Sequence, residues 1–337
     1  KITFHAKIGT QLERSERIAV LAEKIALALG ADASAADAAK TAGRLCKADL
    51  VTGMVGEFPE LQGIMGGYYA AHMMRGRDGS IIGPAIKTHY QPKGPSDAVP
   101  TGIVAVSVAL ADKLDTLTEF FRIGEKPTGS GDPYALRRAA LGVIRIVLEN
   151  RLSSLDIAGL TFDVPELYSF ILERLRVKLK SEGKRFDILD AALAFVAEGN
   201  LLFAMERADA LTKFIATENG ANLLSGYRRA ANILKIEEAK DGPYGGTPDT
   251  ALYIEKAEKD LAEALDFLVT NAVKEIAERR YGEAMRYMSE LRKFVDAFFD
   301  KVTVNDPVPQ IRQNRLRLLA QLRDTMHQIA DFSKIEG

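Results

Sequence analysis

Three arginines near the middle of the chain are the residues best suited to bind an anion. The stretch EKPTGSGDPYALRRAALGVIRI covers residues 125–146 and places Arg137, Arg138 and Arg145 after a turn rich in Gly, Pro and Ser. At about 100° per residue, Arg138, Gly142 and Arg145 lie on one helix face, away from the apolar stripe. Two guanidinium groups beside a glycine suit a phosphate contact. They equally suit a tightly packed neighbouring helix with an acidic partner.

The helix that carries these arginines is predicted to begin at Pro133. Asp132 can accept hydrogen bonds from the first helical amides, and Pro133 suits the first helical position because it has no N–H to satisfy. The predicted buried stripe of this helix is Leu136, Ala140, Val143, Ile144 and Val147.

The types and spacing of the other polar residues do not form a catalytic motif. The chain has no HExxH, no phosphate-binding loop and no GxSxG, and its histidines lack the spacing of metal ligands on one helix. Asp112 and Asp115 share a helix face, either as an acid cluster or as a solvated edge, and the edge is the favoured interpretation.

The composition describes a globular protein without a net charge that favours a polyanion. The chain has 337 residues, 47% of them hydrophobic, and a formal net charge of -1, which allows two or three domains. A single cysteine, Cys46, excludes an internal disulfide and predicts a reducing, cytoplasmic environment. The longest apolar run, Gly102–Ala111, is shorter than the ~20 residues that cross a bilayer. Because the chain starts at Lys1, we expect it to be part of a longer polypeptide.

Apolar residues recur at three- and four-residue intervals almost throughout, which predicts an all-α, multi-domain fold. Two segments rich in helix breakers, 124–132 and 240–249, predict domains over 1–123, 124–240 and 241–337. Residues 75–83 are predicted to be a solvated turn. Helices are predicted over Gln11–Leu29, Ala33–Val55, Glu60–Met74, Thr101–Arg122, Pro133–Arg151, Pro165–Glu182, Phe186–Ala197, Leu201–Thr217, Gly220–Glu238, Thr250–Arg280, Gly282–Lys301 and Pro309–Ile335.

The last predicted helix carries both a buried arginine and exposed ones. Arg315 falls at the centre of its apolar stripe, so we expect a carboxylate of the preceding helix, Asp296 or Asp300, to pair with it. Its other arginines project outward or to the flank of that stripe: Arg312, Arg317 and Arg323.

Two segments, 42–55 and 109–117, resemble the paired helices of the HD superfamily, in which a His-Asp dipeptide and a distant Asp hold a divalent metal. Ala48 stands where the histidine would be, which leaves Asp49 and Asp112. Two carboxylates without the histidine make a poor transition-metal site. The resemblance therefore implies a degenerate HD-type domain with no metal. A divergent HD phosphohydrolase that uses Asp49 and Asp112 is the alternative.

Several stretches in order along the chain resemble the β subunit of the bacterial heterotetrameric glycyl-tRNA synthetase. They are KADLVTGMVGEFPELQGIMGGYYA (47–70), YQPKGPSDAVPTG (90–102), ALADKLDTL (109–117), KPTGSGDPYALRRAALGVIRI (126–146), YRRAANIL (227–234), LRKFVDAFFDKVTV (291–304) and IRQNRLRLLAQLRD (311–324). Their spread over nearly the whole chain makes the resemblance more specific than any single motif.

The resemblance implies the C-terminal part of that subunit: an HD-like domain, a helical linking region and a C-terminal helical bundle of the DALR anticodon-binding type. In this family the glycine and ATP site lies on the separate α subunit. The expected partners are therefore tRNA-Gly, the α subunit and the N-terminal part of β, within an α2β2 assembly. No catalytic residue and no cofactor are expected here, while the complete ligase uses ATP and Mg²⁺. A helical scaffold that binds only protein is a further alternative.

A tRNA would offer phosphates to the outward arginines. Tyr281, Tyr287 and Asn314 either support unstacked bases or pack in the core, and helical phase does not separate these roles. The candidate tRNA-binding residues are Arg137, Arg138, Arg145, Arg228, Arg229, Arg312, Arg317 and Arg323.

Overall fold

The computed structural model describes residues 2–74, 76–194 and 199–336, and these residues fold almost entirely into helices. Backbone packing divides them into two units, one reaching Glu182 with the addition of 199–202, the other formed by 183–194 and 203 onward. The predicted boundaries at 123/124 and 240/241 fall inside these units, and the three-part division stays a prediction. The all-α prediction is confirmed.

The first unit begins with a short antiparallel hairpin that was not predicted, β1 (Thr3–His5) and β2 (Gly9–Thr10). Its helices are α1 (Gln11–Ala28), α2 (Ala33–Leu45), α3 (Gly53–Glu57), α4 (Ile64–Met73), α5 (Arg77–Thr88), α6 (Ile103–Arg122), α7 (Leu136–Glu149), α8 (Ile157–Leu160) and α9 (Pro165–Ser181). Helix α6 is buried along most of its length because α1, α2, α5 and α7 pack around it. It carries the polar residues at the centre of this unit.

The predicted helix over Ala33–Val55 is interrupted, which places Asp49 at a turn. Helix α2 ends at Leu45, and a 3-10 turn over Ala48–Val51 leads into α3. Thr52 is extended (ψ 145°) and its hydroxyl accepts from the Val55 amide, so it caps a new helix.

The prediction of a solvated turn over residues 75–83 is wrong for 77–83, which lie in α5, where Ile82, Ala85 and Ile86 are buried, whereas residue 75 lies outside the described residues. Their glycines resembled turn chemistry. Gly83 instead permits close contact between α4 and α5, since a Cβ placed there would lie 2.9 Å from the carbonyl oxygen of Gly67.

The second unit contains α10 (Phe186–Leu193), most of α11 (Leu201–Ile215), α12 (Glu218–Asp241), α13 (Lys256–Ala264), α14 (Thr270–Ala277), α15 (Tyr281–Lys301) and α16 (Pro309–His327). Helix α12 packs on α15 and α16, and α13 and α14 pack on α15, around a core that includes Tyr227, Phe298 and Leu319. A π-helical turn, Leu265–Val269, joins α13 to α14. The end of the helix predicted over Phe186–Ala197 lies partly outside the described residues.

No helix among the described residues is both long and apolar enough to span a membrane.

Candidate nucleic-acid interface

Helix α7 starts three residues later than the sequence predicted. Ala135 adopts a left-handed conformation (φ 55°), so regular helix begins at Leu136 and not at Pro133. Asp132 still accepts hydrogen bonds at the helix start, from the amides of Leu136 (2.8 Å) and Arg137 (3.0 Å). The predicted apolar stripe is confirmed, because each of its residues is buried: Leu136, Ala140, Val143, Ile144 and Val147.

The arginines of α7 differ in what they contact. Arg137 donates to the backbone oxygens of Gly129 (2.7 Å) and Gly131 (3.3 Å), which holds the preceding loop. Arg145 pairs with Glu149 (2.7 Å) and also donates to backbone oxygens of the 94–97 segment. Arg138 is exposed and has no hydrogen bond or ion pair with any residue that the structure describes. It is therefore the arginine of this helix that a ligand can reach without breaking a contact.

The group that approaches Gly142 closely is a lysine side chain. A Cβ at position 142 would lie 2.5 Å from Cε of Lys113. The Lys113 ammonium donates to the backbone oxygens of Gln91 (2.8 Å) and Tyr90 (3.2 Å). Burial lowers the pKa of Lys113 to about 8, although Asp112 acts in the opposite direction. Lys113 is thus a buried cation beside the arginine face.

Asp49 and Asp112, the predicted degenerate HD pair, do different work. Oδ2 of Asp49 accepts from the amides of Gly63 (2.6 Å) and Gly66 (2.9 Å), at the start of α4. Asp112 accepts from Arg14 and Lys47, both at 2.8 Å. Burial alone would raise the pKa of Asp112, but these two cations hold it well below its usual range.

Lys47 is the centre of this cluster, and sequence reasoning missed it. Its ammonium lies 2.8 Å from Asp112, 2.8 Å from Nε2 of His89 and 3.8 Å from the ring centre of Tyr90. Since Nδ1 of His89 donates to the backbone oxygen of Ile86 (2.6 Å), Nε2 is left to accept from Lys47. Burial, followed by the Lys47 charge, lowers the pKa of His89 well below its usual value. The imidazole is therefore neutral.

In this cluster the Lys47 ammonium lies between His89 and Asp112 and contacts both. No group of three or more His, Cys, Asp or Glu side chains able to hold a metal occurs within the described ranges. The preferred interpretation of Asp112 and Asp115 as a solvated edge is wrong. Both are buried, and Asp115 pairs with Arg17 (2.6 Å) and Arg14 (3.5 Å). In the sequence, the only indication of the cluster around Asp112 was Lys47, immediately before Ala48.

In the second unit, the prediction that Arg315 is buried is confirmed, but its predicted partners are wrong. Arg315 is 4% exposed and pairs with Glu258 (2.9 Å) and Asp306 (2.8 Å). Glu258 reaches it from α13, and Asp306 from the connection that follows α15. Asp296 pairs instead with Arg292 (3.1 Å). Asp300, the other predicted partner, is exposed.

The outer arginines of α16 mostly connect it to α12. Arg312 pairs with Glu237 and Asp241, and Arg323 pairs with Glu238 (3.1 Å). Arg317 is half-buried and has no ion pair within the described part of the chain.

On α12, Tyr227, Ala230 and Leu234 are buried as predicted, and Arg228 and Arg229 lie outside this stripe. Arg228 donates to the backbone oxygen of Ile335 (2.8 Å), whereas Arg229 is exposed and lies 4.3 Å from the ring centre of Phe299. The guanidinium group of Arg229 therefore lies at the surface.

The residues considered as base platforms contribute mainly to the core. Asn314 is 1% exposed and holds both the amide (2.7 Å) and the carbonyl (2.9 Å) of Asp249. Tyr281 is 8% exposed. Tyr287 is half-buried, with Arg286 lying 4.7 Å from its ring centre. Asn314 braces the backbone, which leaves it no free edge for a base.

Comparison with known proteins agrees with this architecture. Residues 1–194 match the family model for the glycyl-tRNA synthetase beta subunit, and residues 223–336 match the model for the DALR anticodon binding domain. Proteins named glycine--tRNA ligase beta subunit from Rhodospirillum centenum and Phenylobacterium zucineum are 53% and 50% identical to this chain. Each match covers 100% of the chain and 49% of the relative, so the chain spans about half the length of these relatives.

The matches to the beta-subunit model and to these relatives define a component of the aminoacyl-tRNA synthetases. The chain belongs to the glycyl-tRNA synthetase beta subunit family. The family resemblance predicted from the sequence is confirmed, whereas the HD-type assignment stays a prediction.

Proposed function

We propose that this chain is the tRNA-binding part of a glycine–tRNA ligase beta subunit. The match of residues 223–336 to an anticodon-binding domain carries the proposal. Arg229 and Arg317 support it, because each lacks an ion pair with any described residue of the unit that contains this domain. A phosphate would meet these cations without displacing a carboxylate.

The remaining candidates are weaker ligands for RNA. A phosphate at Arg312 or Arg323 would compete with the carboxylates of α12, and Arg137, Arg145 and Arg228 already hold backbone oxygens. Phosphate contacts give most of the affinity for nucleic acid and release counterions. The proposal therefore places the main contacts at Arg138, Arg229 and Arg317.

In the complete enzyme, the proposed role is to support ATP-dependent glycylation of tRNA-Gly in the cytoplasm. The glycine and ATP site lies on the α subunit, and ATP and Mg²⁺ are bound there. The partners are that subunit and the N-terminal part of β, in an α2β2 assembly. This chain by itself charges no tRNA.

A gel-shift titration of the 337-residue chain with tRNA-Gly and a non-cognate tRNA, at several salt concentrations, tests the proposal. The double variant Arg229→Ala/Arg317→Ala should weaken binding and reduce the slope of log K against log salt by about two. Arg286→Ala is the matched control, because Arg286 is exposed on α15 but paired with Glu283 and Glu290. Equal, weak binding of both tRNAs with no effect of the double variant would rule the proposal out.

A further inference from the structure

A cavity of about 460 Å³ in the first unit lies against the cation cluster around Asp112. It is lined by residues of β1, α1, α6 and α7, of the 90–93 segment and of the 134–135 turn, and by Gln62. Its size suits a small ligand and excludes an RNA duplex.

The lining carries more positive than negative charge. Arg14, Lys93, Lys113 and Arg138 face one carboxylate, Asp112. Asp112 is already matched by Arg14 and by Lys47 behind it, each at 2.8 Å. The other three cations have no ion pair with any residue that the structure describes. An uncompensated group of cations in a cavity attracts an anion.

These cations contribute in two ways. Lys93 and Arg138 are exposed, and their side chains have no hydrogen-bond partner in the described parts of the chain, so both can donate to phosphate oxygens. Lys113 is 6% exposed and its ammonium bonds the carbonyls of Tyr90 and Gln91. Lys113 therefore contributes positive charge to the cavity, but its ammonium is already bonded to these carbonyls.

Aromatic rings form the rest of the wall. Tyr134 lines the cavity and stacks on Phe120, with ring centres 4.1 Å apart and planes at 23°. Tyr90 also lines it, with the Lys47 ammonium 3.8 Å from its ring centre. Backed aromatic rings are the surfaces on which nucleobases stack.

We propose that this cavity binds one nucleotide, with its phosphate between Arg138, Lys93 and Lys113 and its base against Tyr134 and Tyr90. The nucleotide is held and not hydrolysed, because two cations occupy the Asp112 carboxylate. A free mononucleotide and the terminal nucleotide of an RNA strand offer the same chemistry. The inference shares Arg138 with the proposed tRNA contacts but does not depend on those proposed at Arg229 and Arg317 in the second unit.

Equilibrium dialysis of the 337-residue chain with labelled AMP tests this site. AMP should bind more tightly than inorganic phosphate or adenosine, because the proposed site contacts both the phosphate and the base. Arg138→Ala and Lys93→Ala should each weaken AMP binding about tenfold. Arg44→Ala is the matched control, since Arg44 is exposed in the same unit, pairs with Glu16 and does not line the cavity.

A short single-stranded RNA identifies the source of the nucleotide. If the RNA displaces AMP, or binds alone with the same dependence on Arg138 and Lys93, the site takes a strand end. If AMP binds and the RNA does not compete, it takes a free nucleotide. The inference is overturned if Arg44→Ala weakens binding as much as Arg138→Ala, if adenosine binds as well as AMP, or if neither ligand binds. The tRNA titration uses variants of other residues, so the two proposals can fail separately.

Discussion

The cations around Asp112 in the first unit outnumber the carboxylates they face, whereas those of α16 in the second unit mostly have a carboxylate each. Lys113 and Arg138 have no ion pair with described residues, while Arg312, Arg315 and Arg323 pair with acids of α12, α13 or their own surroundings. Three of the four arginines of α16 therefore brace the fold, whereas Arg138 beside the Asp112 cluster is left available. Whether a carboxylate lies within ion-pair distance decides whether a cation braces the fold or is available to a ligand.

The largest expected effect concerns the paired region. Arg315→Ala should lower the free energy of unfolding of the second unit by about 4 kcal/mol, because it leaves Glu258 buried and uncompensated. Urea denaturation followed by circular dichroism measures this loss. Arg317→Ala is the control and should change stability by less than about 0.5 kcal/mol. Equal effects of the two variants would break the comparison.

Lys47→Met tests the cluster in the first unit at similar side-chain volume. It should cost about 3 kcal/mol at neutral pH, since Asp112 loses one of its two cations. The pKa of Asp112 is held below its usual range in the folded protein, so its contribution is present above about pH 4 and is lost as pH falls further. The difference between the wild type and the variant should therefore shrink below about pH 4.

Cys46 offers a direct readout of that variant. Burial raises the pKa of this thiol to about 12, and it is the only cysteine in the chain. Labelling by a thiol reagent should thus be slow in the native protein and faster in Lys47→Met, because opening of the first unit exposes it. An unchanged labelling rate would show that Lys47 does not stabilise this region.

A smaller effect is expected at Gly142. Gly142→Ala should cost about 1 to 2 kcal/mol, because its Cβ would displace the Lys113 chain from the carbonyls it holds. Gly282→Ala in α15 is the matched control, since a Cβ there meets nothing within 4 Å. That change should stabilise by up to about 1 kcal/mol. Thermal unfolding of both variants gives the comparison, and a neutral Gly142→Ala would mean that Lys113 can move without cost.

The sequence predicted which face of a helix is buried better than it predicted which residues pair with one another. Periodicity identified the buried stripe of α7 and the burial of Arg315, because each depends only on positions within one helix. The partner of Arg315 comes from α13, a distant part of the chain, and periodicity holds no information about which helices meet.

The same limit explains the missed parts of the first unit. The pair of Lys47 and His89 forms only when residues 42 positions apart converge. Helix α5 was missed for another reason, because Gly83 permits a close helix contact where it resembled a turn residue. Local chemistry is ambiguous until the neighbouring element is known.

The smallest expected effect distinguishes two adjacent arginines of α7. Arg137→Ala should cost about 1 kcal/mol, because it removes hydrogen bonds to Gly129 and Gly131, and Arg138→Ala should leave stability unchanged within about 0.5 kcal/mol. Ligand binding should show the opposite order, with only Arg138→Ala weakening the retention of AMP. Measuring both properties on both variants separates a brace from an available cation. If the two variants behaved alike in both assays, the internal hydrogen bonds of Arg137 would not distinguish it from Arg138 as a ligand-binding residue.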